Sequence, residues 1–554
     1  MFSTLVARLV TPMMSAYLLK PKVDGPDNTV MAADGLRVPR YLLPYHKLLS
    51  SALRHRLATI SLALVFFVSS LFLVQFIPTS LFEAGDTDLT TVSVDLPPGS
   101  TLAKTEQLGK RINDTLYANP ATERVFRIQQ PGETTAFVQL KPKSERIPRP
   151  EFEQALREQF QKIPGTRINF ENQDGAGGGG KGIEIVLTGE DPTLLTQTAQ
   201  VLTQQMRQVP GLVEVSSTAS LVQPEVLIRP DPERAADLGV SVSSIARTAS
   251  LATLGDAEAN LADFDVGDRQ IPIRVRLSEE ARTDISTLEN LQVPSQDGAM
   301  VPLIAVADIE FGSGPAQIDR FNRSRQVTVG GNLQGITLGQ AVEAVEALPA
   351  MVNLPDGVRE QPTGDAEIQK EIFSRFGLAV ATAILMIYAV LVLLYNDFLY
   401  PLAVMVALPL CIGGALMGLL IAQKPLGLFA LIGMVLLIGL VTKNSILLVD
   451  YALIAMKEGK SRRQAVIEAG ITRLRPILMT SISTVAGMVP IALAIGAGGE
   501  TRSPMAIAVI GGFSTSTLLT LVVVPVFFTY ISGARSRSAR VLSRATGIGK
   551  AQTS

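Results

Sequence analysis

The stretch LLIGLVTKNSILLVD, residues 436–450, sets Lys443 and Asn444 inside an apolar run. A lysine near the middle of a membrane-crossing helix costs roughly 2.5–3.5 kcal/mol on insertion scales, so an ionisable group there is read as functional and needs a partner. The chemistry open to it is ion pairing and proton exchange. An ammonium is held by a neighbouring carboxylate while that group is ionised and is released when it is protonated. Further along, Arg473 and Thr480 are seven residues apart and so share one helical face, and Ser481, Ser483 and Thr484 add hydroxyls. Such hydroxyls relay protons or hold water, though Ser and Thr also serve as small residues at helix contacts in lipid. Beside a lysine and an arginine they suggest a hydrated polar pathway.

A proton pathway needs a carboxylate, and no Asp or Glu lies near the centre of any apolar run from residue 57 onward. Asp397 falls in a short loop. Asp450 is on the face of Lys443 but two turns away, about 10 Å along the axis and too far for a direct ion pair. The counter-charge is expected on another polypeptide. The plain alternative is a structural lysine, neutral or hydrogen-bonded to neighbouring helices.

The elements that position these residues are apolar runs near or above the ~20 residues a helix needs to cross a bilayer. They lie at about 57–78, 372–394, 400–421, 427–453, 474–496 and 504–531, with ends set by flanking charges and prolines. Residues 1–20 read as the tail of a further membrane helix, the alternative being an amphipathic helix lying on the membrane. Residues 20–56 carry seven Lys or Arg against three acids, 454–475 six against two, and 532–554 five against none. These three segments are therefore expected in the cytoplasm, which places 83–371 on the far side, the periplasm of a bacterium.

Composition narrows the function. The hydrophobic fraction is 47%, and 49 basic against 50 acidic residues argues against a nucleic-acid partner. One cysteine, Cys411, and two histidines, His46 and His55, leave no intrachain disulfide and little thiolate or zinc chemistry.

Segment 83–371 alternates strand-like and helix-like stretches. TTVSVDL, TLAKTEQLGKRINDTLYA, TTAFVQLKP, RPEFEQALREQFQKI and TRINFEN suggest a split βαβ unit of the ferredoxin-like kind over 83–181. GIEIVLTG, DPTLLTQTAQVLTQQMRQV, RQVTVGGNLQG and TLGQAVEAVEALPAM suggest a second unit over 182–221 and 323–371, interrupted by an α+β module at 222–322. The run GAGGGGKG, 175–182, nearly matches a phosphate-binding loop. Gly182 stands where a hydroxyl would hold Mg²⁺, and a strand follows instead of a helix, so a flexible connection between two domains is the better account.

GLFALIGMVLLIGLVTKNSILLVDYA, RLRPILMTS, AIGAGGETRSPMAIAVIGGFSTSTLL and VVVPVFFTYI closely resemble the last three helices of resistance-nodulation-division (RND) exporters of the hydrophobe/amphiphile branch. TPMMSAYLLKP is similar to the close of that family's sixth helix, and FGSGPAQIDRFNRSRQ to its second porter half. The resemblance covers nearly the whole sequence but only the C-terminal half of the exporter. It implies a membrane domain of six transmembrane helices plus a partial N-terminal one (1–20), a cytoplasmic linker at 21–56 and a helix at 57–82. It further implies a PC1-like unit at 83–181, a PC2-like unit at 182–221 and 323–371, a docking-like module at 222–322, five helices in 372–531 and a basic tail at 532–554.

The resemblance also implies a secondary transporter and not an enzyme, driven by the proton-motive force without a cofactor. It would sit in the bacterial inner membrane as a trimer with a periplasmic adaptor protein and an outer-membrane channel. Carried residue by residue, Lys443, Arg473 and Thr480 match the C-terminal part of the family's proton relay, with Asn444, Ser481 and Thr484 as supporting polar groups. The family's pair of adjacent aspartates is absent here. The expectation is therefore one half of a split pump for amphiphilic compounds, whose N-terminal-half subunit carries the Asp pair. A truncated piece of an ordinary exporter, a membrane scaffold without transport, and a homo-oligomeric carrier that titrates Lys443 itself are the alternatives.

Overall fold

The computed structural model describes residues 29–31 and 37–546, apart from 83–84, 161, 172–180, 221, 256–261, 274, 276, 279–280, 282–283, 362 and 497, with side chains over 39–533. The expected helix at 1–20 and most of the glycine run lie outside the described residues.

Six described helices are long and apolar enough to cross a membrane. The first, α2 (Arg56–Phe72, continued as a 3₁₀ turn to Phe76), follows α1 (Leu43–Arg54). Helix α1 was not expected in the linker; its apolar face packs on the bundle, where the Tyr45 hydroxyl donates to the Leu521 carbonyl at 2.9 Å.

Two sheet units follow. The first is built from β1 (Leu89–Asp95), α3 (Leu102–Ala118), β2 (Thr122–Gln130), β3 (Glu133–Leu140), α4 (Arg149–Phe160) and β4 (Arg167–Glu171). Strand order is β2-β3-β1-β4, antiparallel throughout, with Val92 opposite Ala136 on one side and Phe170 on the other. The sequence reading missed β2. Its residues TERVFRIQQ are charged and mostly exposed, so no apolar period marks them, and only pairing with β3 makes them a strand. Alternate positions of β1 and β3 (Val92, Val94, Ala136, Val138) bury against Ile112, Leu116, Phe152 and Leu156 of the two helices.

The second unit repeats this plan with β5 (Ile183–Gly189), α5 (Pro192–Met206), β6 (Leu212–Ser217), β9 (Ser324–Leu333), α6 (Leu338–Glu346) and β10 (Val358–Gln361). Its order, β6-β9-β5-β10, is again second, third, first, fourth. Between β6 and β9 the chain leaves on β7 (Val222–Pro230) and returns on β8 (Ala307–Pro315), an antiparallel ribbon paired from Val222–Pro315 to Pro230–Ala307. That ribbon carries the inserted module, which has a small core of its own around Ile245, Val293 and Leu303.

The remaining membrane helices are α7 (Gly364–Tyr395), α8 (Tyr400–Ile421), α9 (Leu428–Lys457), α10 (Arg462–Ala492) and α11 (Gly499–Thr546). Several of the expected boundaries shift outward, and α11 starts five residues before 504. Helix α7 starts eight residues before 372 and α10 twelve before 474, α9 runs on to Lys457, and α11 continues beyond 531 into the basic tail. Charged helical turns outside the apolar stretch read as linker in the sequence, because hydropathy reports the bilayer and not the helix. Helices α8, α9 and α11 form the packed centre, whereas α2, α7 and α10 bury little of their surface. At that centre α8 and α11 meet backbone to backbone: a Cβ on Gly414 would stand 2.9 Å from the Gly511 carbonyl, and one on Gly512 2.7 Å from that of Cys411.

Candidate functional site

Helix α9 presents two unlike faces. Leu437, Ile438, Val441, Asn444, Ser445, Leu448 and Ala452 are buried against the bundle. Ile432, Val435, Leu436, Lys443, Asp450 and Ile454 form an exposed stripe at helical spacing. Lys443 sits in the middle of that stripe. Counting at 1.5 Å per residue, it lies about 22 Å from Leu428 and about 21 Å from Lys457. This is deeper than the sequence reading allowed, because the helix runs four residues past Leu453.

Among the described residues Lys443 makes no ion pair or side-chain hydrogen bond. Asp450 does not reach it. Asp397 is engaged elsewhere, accepting from the backbone N–H groups of Leu399 at 2.7 Å and Tyr400 at 3.3 Å, at the start of α8.

The four-residue connection 458–461 returns the chain along α9, so α9 and α10 pack as antiparallel neighbours. Measured from that connection, Arg473 is about 17 Å deep, Lys443 about 21 Å and Thr480 about 27 Å, so the lysine falls between the two in depth. No direct hydrogen bond joins the three. The Arg473 guanidinium lies over the Tyr451 ring of α9, 5.4 Å from its centroid, while its Nε is buried without an acceptor. The Thr480 hydroxyl donates to the Ile477 carbonyl at 2.9 Å, and Thr484 to that of Thr480 at 2.9 Å. Ser481 is buried and shares a hydrogen bond of 3.0 Å with Thr517 of α11. Asn444 is buried on the packed face, next to Ser445, whose Oγ has no partner.

Arg473 and Thr480 thus share one side of α10, whereas Ser481 points to α11 and Asn444 away from the exposed stripe. The hydroxyls of Thr480 and Thr484 are spent on their own helix, as is common for threonine in apolar helices. Tyr451, Ser445 and Thr517 were missed by the sequence reading. Ser445 stood inside the run already singled out, while Tyr451 and Thr517 matter only through a neighbouring helix. The near-miss phosphate motif ends in a different role. The Lys181 ammonium donates to the Ser216 hydroxyl and to the Gly330 carbonyl, which pins the connection between the two sheet units.

The pattern of the AcrB/AcrD/AcrF family matches residues 1–532. The chain belongs to that family. It is 29% identical to the cobalt-zinc-cadmium resistance protein CzcA of Cupriavidus metallidurans, over 85% of this chain and 46% of that protein. It is also 29% identical to the multidrug resistance protein MdtC of Proteus mirabilis, over 97% of this chain and 53% of that protein. The chain spans about half the length of the curated relatives it matches. A crystal structure described as a heavy metal efflux pump superposes with a TM-score of 0.77 at 24% identity, over 90% of this chain and 52% of that one, a likeness of fold.

Proposed function

We propose that this chain is the lysine-bearing half of a proton-driven RND exporter of the bacterial inner membrane. Its lysine faces paired aspartates supplied by the complementary N-terminal half. The observation that carries the reading is the position of Lys443: mid-helix, exposed on an otherwise apolar stripe of α9, and without a counter-charge among the described residues. An ammonium held there is tolerable when a carboxylate pair from the complementary half faces it. Ionised carboxylates hold the lysine and protonated ones release it, so proton passage is converted into helix movement. Arg473 and Thr480 flank the lysine in depth and supply the charge and hydroxyl on the neighbouring helix.

The two repeated sheet units serve as PC1-like and PC2-like porter domains and the inserted module as a docking surface, in a trimer with a periplasmic adaptor and an outer-membrane channel. Organic amphiphiles are the proposed cargo. Relatives named for metal resistance and for multidrug resistance are equally similar, but the lone cysteine is buried inside α8 and both histidines precede residue 56, so soft-metal ligands are scarce in the exterior units.

The test is reconstitution of the chain with a complementary half in proteoliposomes. Lys443→Ala abolishes proton-coupled efflux of a dye while leaving the assembly intact. Normal transport by that variant would sink the relay assignment, and transport by this chain alone would favour the homo-oligomeric carrier.

A further inference from the structure

Two segments of the first sheet unit come together where that unit meets α11. Residues 85–88 lead into β1, and residues 141–148 join β3 to α4. The buried Arg146 side chain clasps them. It donates to Asp86 at 2.6 Å and to the carbonyls of Thr87 at 3.0 Å and Lys141 at 2.7 Å, and the Arg149 backbone N–H donates to Asp86 at 2.9 Å. The platform so formed rests on the first turn of α11 at two points. Lys143 is ion-paired with Glu500 at 2.5 Å, and a Cβ on Gly85 would stand 3.1 Å from the Thr501 hydroxyl.

An exposed ion pair contributes little and is screened by salt. This one is different. The two side chains are only 29% and 27% exposed, and they belong to a sheet unit and a membrane helix 357 residues apart. Glu500 sits in the first turn of α11, where the helix dipole favours a carboxylate, yet its Oε2 is buried and accepts no hydrogen bond among the described residues. A carboxylate placed only to stabilise the joint is better served with both oxygens bonded or in water. The membrane side of the joint is firm. Ser503 donates to the Ala492 carbonyl of α10 at 2.8 Å, and α9 meets α11 backbone to backbone, since a Cβ on Gly433 would stand 2.8 Å from the Met505 carbonyl. Met505 lies about 7.5 Å along its helix from Glu500, and Gly433 about 15 Å along its own from Lys443. Contacts that close leave no side chain to absorb a shift, so movement of α9 carries the start of α11 with it.

We infer that the Lys143–Glu500 pair is the strut by which α11 positions the first sheet unit, so that a shift of the helix bearing Lys443 is delivered to that unit. The chain itself gives the first unit no stiff link of this kind. Residues 77–88 separate the end of α2 and its 3₁₀ turn from β1, whereas only residues 362–363 separate β10 of the second unit from α7. Lys143 and Glu500 are positioning residues, each acting through the unit they hold together. The strut stands on its own geometry, and only its use in transport rests on the export reading.

The test is a charge-swap cycle on the purified full chain, read by hydrogen–deuterium exchange. Lys143→Glu and Glu500→Lys each speed amide exchange over 141–149 severalfold and leave β5 and β9 of the second unit unchanged, and the double swap recovers most of the protection. In proteoliposomes with the complementary half, each single variant lowers the maximal rate of dye efflux about tenfold at an unchanged half-saturating dye concentration, and the swap restores the rate. Glu500→Gln keeps the side-chain shape and loses rate in the same direction, which separates the effect from misfolding. Single variants that exchange like the parent, or a double swap no better than either single, would overturn the strut. Faster exchange with full efflux in the single variants would reduce the pair to a structural tie and overturn its positioning role. A parent assembly that moves no dye refutes the export reading instead, and the exchange cycle still decides the strut.

Discussion

Lys443→Met replaces an ammonium by a thioether on a side chain of similar length, at a position whose burden can be worked out from the helix. Lysine 443 lies about 21–22 Å from either end of α9, and the hydrocarbon core of a bilayer is about 30 Å thick, so each interface is about 15 Å away. A lysine side chain extends about 6 Å and snorkels only from nearer the ends. Because the residue is exposed on its stripe, the ammonium of the chain on its own meets lipid. The substitution therefore favours insertion of segment 428–457 by about 3 kcal/mol, on the order of a hundredfold in the insertion equilibrium. In the assembled exporter the same change removes the counter-charge of the carboxylate pair, and proton-driven efflux stops. Glycosylation mapping of the segment in microsomes reads the first effect, and pH-jump dye efflux from proteoliposomes the second. Unchanged insertion would show that Lys443 does not face lipid, and unimpaired efflux would end its role in coupling. Better insertion with lost transport is the signature of a residue retained for function at the expense of stability.

The Arg146 side chain is fully buried between the partly exposed Asp86 at 2.6 Å and Asp88 at 3.1 Å and also donates to the carbonyls of Lys141 and Thr87; Arg146→Ala leaves those carbonyls without their donor and costs about 1–3 kcal/mol, read by protease resistance of the first sheet unit. Arg146→Lys does not rescue it, because an ammonium cannot span that fork of acceptors. Thr480→Ala loses only a bond to its own helix, about 1 kcal/mol or less, so unfolding hardly shifts; if the hydroxyl belongs to the relay, efflux falls nonetheless, and full efflux would return it to a structural part. Gly511→Leu forces α8 and α11 apart where a Cβ would already stand 2.7 Å from the Gly414 carbonyl, and the purified chain loses its cooperative thermal transition. Glu360 has a raised carboxyl, so its contribution to stability is present below the usual carboxylate range and fades as pH rises through its elevated value. Glu360→Gln consequently raises the unfolding midpoint at neutral pH and leaves it unchanged below about pH 4; an equal shift at both would contradict the burial argument.

The sequence by itself determined the six long apolar helices, the doubling of the sheet units and the presence of a lysine in the middle of an apolar run. Each depends on a signal that is local in the chain: a hydrophobic length, an alternation of strand and helix, a charge where none belongs. The interrupted second unit was legible because each of its two pieces sets a strand before a helix, although β6 and β10 were not read. Tertiary structure decided what has no local signature. Strand β2 exists because β3 offers it an edge, although its residues are polar. Membrane helices extend past their apolar runs because hydrogen bonding, unlike hydropathy, continues into water. The stripe on α9 separates Lys443 from Asn444, adjacent in the chain, into an exposed and a buried residue, and Arg473 reaches Tyr451 only because α10 folds back along α9. The acidic face of the second unit was invisible in the sequence, since Glu184, Glu343, Glu346 and Glu360 come from two strands and a helix spread from 184 to 360 and meet only when that unit folds, with Glu367 joining from α7.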